Sequence, residues 1–196
     1  MKKYLVNEIF LSLQGEGYWM GTPMVFLRFS GCNLRCPFCD TDHSSSTPYT
    51  LDALVAAVSA AASSVRRVCL TGGEPALQVD AALLDALHAA GFAVHIETNG
   101  TRPLPPGIDW VTLSPKSDFV DAPSPALEAA DEIKVVFIPG KTDAERWLAF
   151  PARHHFLQPC YSSETDSSNV SETVAYILAH PSWRLSLQTH RLLGIR

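Results

Sequence analysis

Short apolar runs alternate with longer alanine-rich or amphipathic segments along most of the chain. Runs of about four to eight residues rich in Val, Ile, Leu and Phe are typical of buried strands, and longer segments with apolar residues at helical spacing favour helices. The predicted strands are residues 25–29, 68–71, 93–97, 110–114, 133–137, 155–158 and 184–188. The predicted helices are residues 51–62, 79–90, 142–150 and 170–180.

Strands that alternate with helices predict βαβ units and a parallel sheet, and therefore an α/β fold. The chain has 196 residues, of which 46% are apolar. It holds about six such units, fewer than the eight of a closed barrel. We therefore expect a single domain over residues 1–196, built as a partial (β/α)6-type barrel with a parallel sheet.

The charge balance narrows the possible functions. The formal net charge is -5, which argues against a nucleic-acid binder because such affinity depends on Lys and Arg that neutralise phosphates. No run of about 18 apolar residues could span a membrane. The apolar stretch at the start of the chain breaks at Asn7 and Glu8, before a signal-peptide core forms. We expect a cytoplasmic enzyme with neither a membrane nor a nucleic-acid partner.

Three cysteines, Cys32, Cys36 and Cys39, are spaced C-x3-C-x2-C directly after a predicted strand. A 4Fe-4S cluster held entirely by protein uses four thiolates, so three thiolates leave one iron open to bind a cofactor or substrate. The alternative is structural zinc, which takes four Cys or His ligands, and His43 could complete that set. The remaining cysteines are isolated and are interpreted as small apolar side chains: Cys69 and Cys160.

Polar motifs follow three further predicted strands. They are Gly72-Gly73-Glu74-Pro75, Glu97-Thr98-Asn99-Gly100 and Ser114-Pro115-Lys116. The carboxyl ends of parallel strands meet at one edge of the sheet, where binding sites gather. We therefore expect these motifs and the cysteine loop to form one site. Two glycines in a turn also allow the backbone to approach a ligand closely.

The cysteine loop and the glycine turn together resemble the radical S-adenosylmethionine (SAM) superfamily. In that superfamily the open iron chelates SAM, and the glycine turn with its acidic side chain contacts the SAM amino group. Further motifs are similar to one family within it, the 7-carboxy-7-deazaguanine synthases of the queuosine pathway. These motifs span the chain: Leu13-Gln14-Gly15-Glu16-Gly17, Arg28, Asp40-Thr41, Thr71, Glu97-Thr98-Asn99-Gly100, Ser114-Pro115-Lys116, Gln158-Pro159 and Leu187-Gln188-Thr189-His190 with the end at Arg196.

The resemblance implies a lyase with a partial radical SAM barrel. Its reaction would be the ring contraction of 6-carboxy-5,6,7,8-tetrahydropterin to 7-carboxy-7-deazaguanine with loss of ammonia. The implied cofactors are a 4Fe-4S cluster, SAM and Mg²⁺, and the implied partners are an electron donor such as a flavodoxin and a second copy of the chain. Two rival functions stay open: a radical SAM activase that acts on a partner polypeptide, and a non-enzymatic zinc module.

The resemblance also assigns site residues by position. The cluster ligands would be Cys32, Cys36 and Cys39. The SAM contacts would be Phe38, Cys39, Asp40, Gly73, Glu97, Ser114, Pro115 and Lys116. The pterin contacts would be Leu13, Gln14, Gly15, Glu16, Arg28, Thr71, Gln158, His190 and Arg196. Thr41 would be the protein ligand of Mg²⁺.

Several of these residues also have simpler interpretations. Phe38 could pack beside the cluster, His190 could be structural, and Thr41 could cap the next turn. Arg28 is the exception, because an arginine inside an apolar strand is costly to bury without a partner. A guanidinium also holds a carboxylate in a fork geometry, which suits the carboxylate of the implied substrate.

Overall fold

The structure is a computed structural model that describes residues 2–162 and 167–196. Within these residues the strands are β1 (Tyr4–Leu13), β2 (Pro23–Phe29), β3 (Thr47–Tyr49), β4 (Arg67–Gly72), β5 (Ala93–Thr98), β6 (Trp110–Leu113), β7 (Ala130–Phe137), β8 (Ala152–Pro159), β9 (Tyr161–Ser162), β10 (Ser167–Ser168) and β11 (Arg184–Leu185). The α-helices are α1 (Leu51–Ala62), α2 (Ala81–Ala89), α3 (Ala144–Leu148), α4 (Val170–Ala179) and α5 (Thr189–Leu193), and Pro75–Leu77 forms one 3-10 turn.

The main sheet has the strand order β11-β8-β7-β6-β5-β4-β2-β1-β3 in the described part of the chain. Every neighbouring pair from β2 to β11 is parallel, and β1 is antiparallel to both β2 and β3. The predicted α/β fold with a parallel sheet is therefore confirmed, with an antiparallel hairpin added at the N-terminal side. No helix in the described residues has the length and apolar character needed to cross a membrane.

The apolar core lies between the sheet and the helices, and α1, α2 and α3 each bury apolar residues against the strands. In α1 the buried residues are Leu54, Val58 and Ala62, which recur at every fourth position. The hydroxyl of Thr50 accepts a hydrogen bond from the amide of Ala53 and caps this helix. The prediction of a helix over residues 51–62 is confirmed at both ends.

Two predicted helices are shorter than their apolar patterns, because capping aspartates set their starts. Asp80 accepts a hydrogen bond from the amide of Leu83, and α2 begins after it. Asp143 accepts one from the amide of Arg146, and α3 begins after it. A carboxylate at this position satisfies a backbone amide that has no partner within the helix.

The sheet does not close into a barrel, and the C-terminal segment lies across the open side. The amide of Thr189 donates to the carbonyl of Gly15 over 3.0 Å. The hydroxyl of Ser12 donates to the backbone oxygen of Arg196 over 2.6 Å. These bonds connect the segment after β11 to β1 and the loop that follows it. The predicted strand over residues 184–188 is wrong in length, because β11 ends at Leu185 and the chain turns toward this gap.

Candidate active site

A cavity of about 760 Å³ opens at the carboxyl ends of the parallel strands. The site residues predicted from the sequence line it, with one exception: Pro115 is buried beside the cavity and does not line it. The lining also includes residues of the quoted motifs that had no individual role, Thr98, Asn99 and Gln188, and residues that the sequence did not indicate, among them Glu8, Phe10, Lys134, Val136 and Arg191. The topology therefore brings the separate motifs to one place, as the strand-end rule predicts.

The cysteine loop is irregular and presents three free thiols. The amide of Cys39 donates to the carbonyl of Cys36 over 3.1 Å, and the amide of Leu34 lies 3.4 Å from the sulfur of Cys32. Cys32 and Cys36 are half-buried and Cys39 is exposed. Three unpaired thiols on one loop fit the donor set of an iron–sulfur cluster, in which each thiolate binds a different iron.

A single zinc ion would instead need its ligands to converge on one point at about 2.3 Å for sulfur. Among residues 2–162 and 167–196, no three His, Cys, Asp or Glu side chains are placed to hold one ion in this way. The backbone oxygen of His43 accepts a hydrogen bond from the amide of Gly31 and thereby closes the base of the loop. The local geometry thus suits a cluster better than structural zinc.

The glycine turn after β4 fixes the start of the cysteine loop by direct backbone contact. The amide of Gly73 donates to the carbonyl of Phe29 over 3.1 Å, and the amide of Glu74 donates to the carbonyl of Gly31 over 2.9 Å. A Cβ atom on Gly73 would lie only 1.9 Å from the oxygen of Gly31. Glycine is required here because any side chain would push the cysteine loop away.

The carboxylate of Glu74 joins two loops of the site. One oxygen accepts hydrogen bonds from the hydroxyl of Thr98 and the amide of Ala76, and the other accepts from the amide of Asn99. Burial raises the pKa of Glu74, and these donors oppose the increase. The resemblance implies a contact between this side chain and the SAM amino group, but here both oxygens are engaged by protein donors.

Lys116 lies on the loop after β6 and faces the cysteine loop. Its ammonium donates to the hydroxyl of Ser114 over 2.5 Å and to the carbonyl of Ser114 over 3.0 Å. Burial lowers the pKa of Lys116, and the nearby Cys36 raises it. Phe38, on the same side of the cavity, packs edge-on against Phe119 at 4.9 Å between ring centroids. Phe38 therefore both lines the cavity and has the packing role given as its simpler interpretation.

Arg28 is paired within the site. Its Nε donates to Glu8 over 2.7 Å, and its Nη1 lies 3.4 Å from the hydroxyl of Thr41. Arg196 approaches the other oxygen of Glu8 at 3.7 Å. Thr41 does not cap a helix, because α1 is capped by Thr50. The Thr41 hydroxyl thus lies between a guanidinium and the cysteine loop, inside the cavity.

A buried charged cluster forms the floor of the cavity. The ammonium of Lys134 contacts the carboxylate of Glu16, and it donates to Glu97 over 2.8 Å. The side chain of Lys134 is 5% exposed. Burial alone would raise the pKa of Glu16, but Lys134 holds it well below its usual range. Sequence reasoning missed Lys134, although a single lysine in the otherwise apolar predicted strand 133–137 was a usable signal.

The C-terminal segment contacts both the cysteine loop and this charged cluster. The amide nitrogen of the Gln188 side chain lies 3.0 Å from Glu16 and 3.2 Å from Asp40. Arg191 also pairs with Asp40, at 2.5 Å. A Cβ atom on Gly15 would lie 2.3 Å from Nδ1 of His190, so the two residues are in close contact. The predicted residues His190 and Asp40 therefore belong to one connected wall.

A further carboxylate, that of Glu132, is buried on β7 next to the charged cluster. Glu132 accepts hydrogen bonds from the amide of Tyr18 and the hydroxyl of Thr112, at 2.8 and 3.0 Å. Burial, with the nearby charge of Glu97, raises the pKa of Glu132 to about 7. This side chain is 2% exposed and makes no direct ion pair among the described residues.

Comparison with known proteins agrees with this geometry. A family model described as the radical SAM superfamily matches residues 27–152. The 7-carboxy-7-deazaguanine synthase of Bacteroides thetaiotaomicron is 53% identical over 191 residues, which cover 97% of this chain and 98% of that protein. The synthase of Caulobacter vibrioides is 43% identical over 98% of this chain and 99% of that protein. The crystal structure of QueE from Escherichia coli matches with a TM-score of 0.77 and 30% identity, covering 94% of this chain and 93% of that one.

The open α/β sheet and the three-cysteine loop at its carboxyl edge define a protein of the radical SAM class. The identity to curated relatives extends over nearly the whole chain rather than over that core alone. The chain belongs to the 7-carboxy-7-deazaguanine synthase family.

Replacing Gly73 with alanine is expected to prevent cluster assembly. The new methyl group would overlap the oxygen of Gly31 and the amide of Cys32. We expect iron and sulfide content to fall several-fold after anaerobic reconstitution. Gly140→Ala is the matched control, because it also adds a methyl group but has no heavy atom within 4 Å. Its positive φ of 74° costs some stability, yet its cluster content should match wild type. Equal cluster content in Gly73→Ala would contradict this account.

Glu132 is expected to make the stability depend on pH. Burial, with the nearby charge of Glu97, raises its pKa from the ordinary value of 4.5 to about 7 in the folded protein, so its protonated form favours folding. That contribution is present below pH 4.5 and is lost as the pH rises to about 7. Relative to wild type, the free energy of unfolding of Glu132→Gln should therefore rise by about 2 kcal/mol between pH 5 and pH 7.5.

Denaturant unfolding of the cluster-free proteins measures this difference. Taking the difference between variant and wild type removes the opposing effect of His95, whose pKa burial lowers to about 4. Glu128→Gln, at an exposed position, serves as the control for the effect of the substitution itself. A difference for Glu132→Gln that does not change with pH would show that Glu132 is ionised throughout this range.

Proposed function

We propose that this chain converts 6-carboxy-5,6,7,8-tetrahydropterin to 7-carboxy-7-deazaguanine and ammonia. The products contain the same atoms as the substrate, so the overall reaction is redox-neutral. The observation that carries the proposal is the convergence of the motifs: nineteen of the twenty site residues predicted from the sequence, all except Pro115, line one cavity. Membership in the family whose named relatives are 7-carboxy-7-deazaguanine synthases supports the same reaction.

The thiolates of Cys32, Cys36 and Cys39 would hold a 4Fe-4S cluster with one open iron for SAM. When bound, the cluster and SAM would supply the radical chemistry that removes a hydrogen atom from the pterin. The side chains of the protein would position the ligands and place charges beside them. Lys116 brings a half-buried cation next to the cysteine loop. Burial raises the pKa of the Cys36 thiol, and the charge of Lys116 opposes that increase.

Arg28 would bind the carboxylate of the pterin, since its planar guanidinium can hold both carboxylate oxygens. Arg28 and Thr41 are in contact at 3.4 Å, so a carboxylate on Arg28 would lie beside the Thr41 hydroxyl. Mg²⁺ prefers oxygen ligands and usually keeps several waters. We therefore propose Thr41 as its protein ligand, with the substrate carboxylate as a neighbouring oxygen donor.

The remaining cavity residues would orient the pterin ring. Gln14, Glu16, Gln158 and His190 supply donors and acceptors to its polar edge. All four line the same cavity, and Gln14 and Gln158 are less than 10% exposed. A ring held by buried polar groups keeps one orientation toward C6, and this restricts where a radical can react. A cavity of about 760 Å³ matches a small molecule in size, whereas a radical activase would need a wider surface to bind a polypeptide.

The proposed partners are an electron donor such as a flavodoxin and a second copy of this chain, both on the basis of family resemblance. The proposed location is the cytoplasm. Free thiols that hold iron require a reducing compartment, and the three cysteines of the loop are free.

The direct test is turnover of the reconstituted protein under anaerobic conditions. The assay contains reductant, SAM, Mg²⁺ and 6-carboxy-5,6,7,8-tetrahydropterin, and mass spectrometry follows 7-carboxy-7-deazaguanine. We expect product only when the reductant, SAM and the pterin are all present, and more product with Mg²⁺. Formation of 5'-deoxyadenosine without that product would contradict the proposed substrate but keep the radical SAM class.

Two substitutions separate cluster binding from substrate binding. Cys36→Ala should lose both the cluster and activity, because one iron loses its ligand. Arg28→Ala should keep the cluster while kcat/KM for the pterin falls about 10- to 100-fold, from the loss of a charged hydrogen bond. Arg102→Ala, at an exposed position outside the cavity lining, is the control and should retain both properties. Iron analysis, visible absorbance and kinetics measure these effects, and a colourless Arg28→Ala protein would contradict the assignment.

A further inference from the structure

We propose that Lys134 is a positioning residue that holds the pterin-side carboxylate Glu16 and the SAM-side carboxylate Glu97 together. The pterin site and the SAM site thereby keep a fixed position relative to each other. This inference rests on the function proposed above, which places Glu16 against the pterin, and on the family resemblance, which gives Glu97 as a SAM contact. Lys134 has no role in the motif-based assignment of the site. The role inferred for Lys134 follows from the position of its ammonium group.

Lys134 reaches the cavity floor from the middle of β7. Glu97 extends from β5, two strands away in the sheet, and Glu16 lies on the loop between β1 and β2. The ammonium contacts Glu16 and lies 2.8 Å from Glu97. The Lys134 side chain therefore joins three elements at once: β7, β5 and the β1–β2 loop. Gln14 joins only the loop and β5.

Both carboxylates are fixed at both oxygens. In each, one oxygen faces the ammonium and the other accepts from a side-chain amide. For Glu97 that amide is Gln14, at 3.2 Å. For Glu16 the amides are Gln158, at 3.1 Å, and Gln188, at 3.0 Å. A carboxylate held at both oxygens cannot rotate, so its free lone pairs point in a set direction toward the cavity.

The charges of this cluster depend on one another. Glu16 and Glu97 side chains are 16% and 18% exposed, so little water screens their repulsion. Burial raises the pKa of Glu97, and Lys134 opposes that increase. The carboxylates in turn raise the pKa of Lys134 above its ordinary value, against the effect of burial. Without the ammonium, two buried carboxylates would face each other and at least one would move or take a proton.

The test measures ligand binding to the holoenzyme without reductant, so that no turnover occurs. Isothermal titration under anaerobic conditions gives separate dissociation constants for SAM and for 6-carboxy-5,6,7,8-tetrahydropterin. For Lys134→Met we expect both constants to rise about tenfold or more, since each carboxylate loses a charged hydrogen bond. Lys141→Met is the control: it makes the same substitution at an exposed lysine outside the cavity lining, and both constants should stay within about twofold of wild type.

A second variant separates positioning from folding. Lys134→Met with Glu97→Gln removes one of the two uncompensated carboxylates, so its thermal stability should recover relative to Lys134→Met. Its pterin constant should stay raised, because Glu16 still lacks the ammonium. Lys134→Met constants that both match wild type would overturn the proposal, as would pterin affinity that recovers together with stability in the double variant. Wild-type protein that binds SAM but not the pterin would instead reject the proposed function.

Discussion

The contact between the glycine turn and the cysteine loop is the constraint on which the site depends. The loop has no regular secondary structure of its own, so its position must come from neighbouring backbone. The amides of Gly73 and Glu74 donate hydrogen bonds to the carbonyls of Phe29 and Gly31. These bonds hold the loop directly against the end of β4. Glu74 then extends the same connection to β5 through Thr98 and Asn99. The proposed cluster ligands are thereby tied to two rigid parallel strands.

One face of the sheet is apolar and packs against the helices, and the other face carries charged side chains. The first face stabilises the fold, and the second contributes to the site. Apolar residues of the strands pack outward against the helices, where residues such as Leu70 and Ile96 are fully buried. The opposite face carries Glu97, Glu132 and Lys134, which are costly to bury unless they are paired. They are paired or hydrogen-bonded to one another and to the β1–β2 loop. This polar face is therefore a hydrogen-bonded part of the fold, and Glu97 and Lys134 on it also line the cavity.

Local patterns in the sequence predicted the local features well. The helix over residues 51–62 followed from its alanine-rich run, and the polar motifs after strands β4, β5 and β6 were correctly expected to meet. In each of these cases the signal lies within one short segment. The parallel topology then converts neighbouring strand ends into neighbouring side chains.

Features that depend on distant partners were not predicted. Lys134 and Glu16 are separated by 118 positions in the chain, and Arg191 and Asp40 by 151. Helix α5 has only five residues, and none of them is buried, so it leaves no apolar period to detect. Glu74 shows a further limit: its motif indicated a ligand contact, while the structure engages both of its oxygens with the protein. Such pairings become visible only after the chain is folded.

The central claim is that this cavity holds the pterin with C6 facing SAM, so that one specific hydrogen atom is removed. The most direct measurement uses pterin carrying deuterium at C6 and analyses recovered SAM by mass spectrometry. If the radical removes that atom, the deuterium passes to 5'-deoxyadenosine. When SAM is formed again from it, deuterium should appear in the 5'-methylene of the recovered SAM. Product formation with no deuterium in SAM or in 5'-deoxyadenosine would contradict the account, because another atom would then be the one removed.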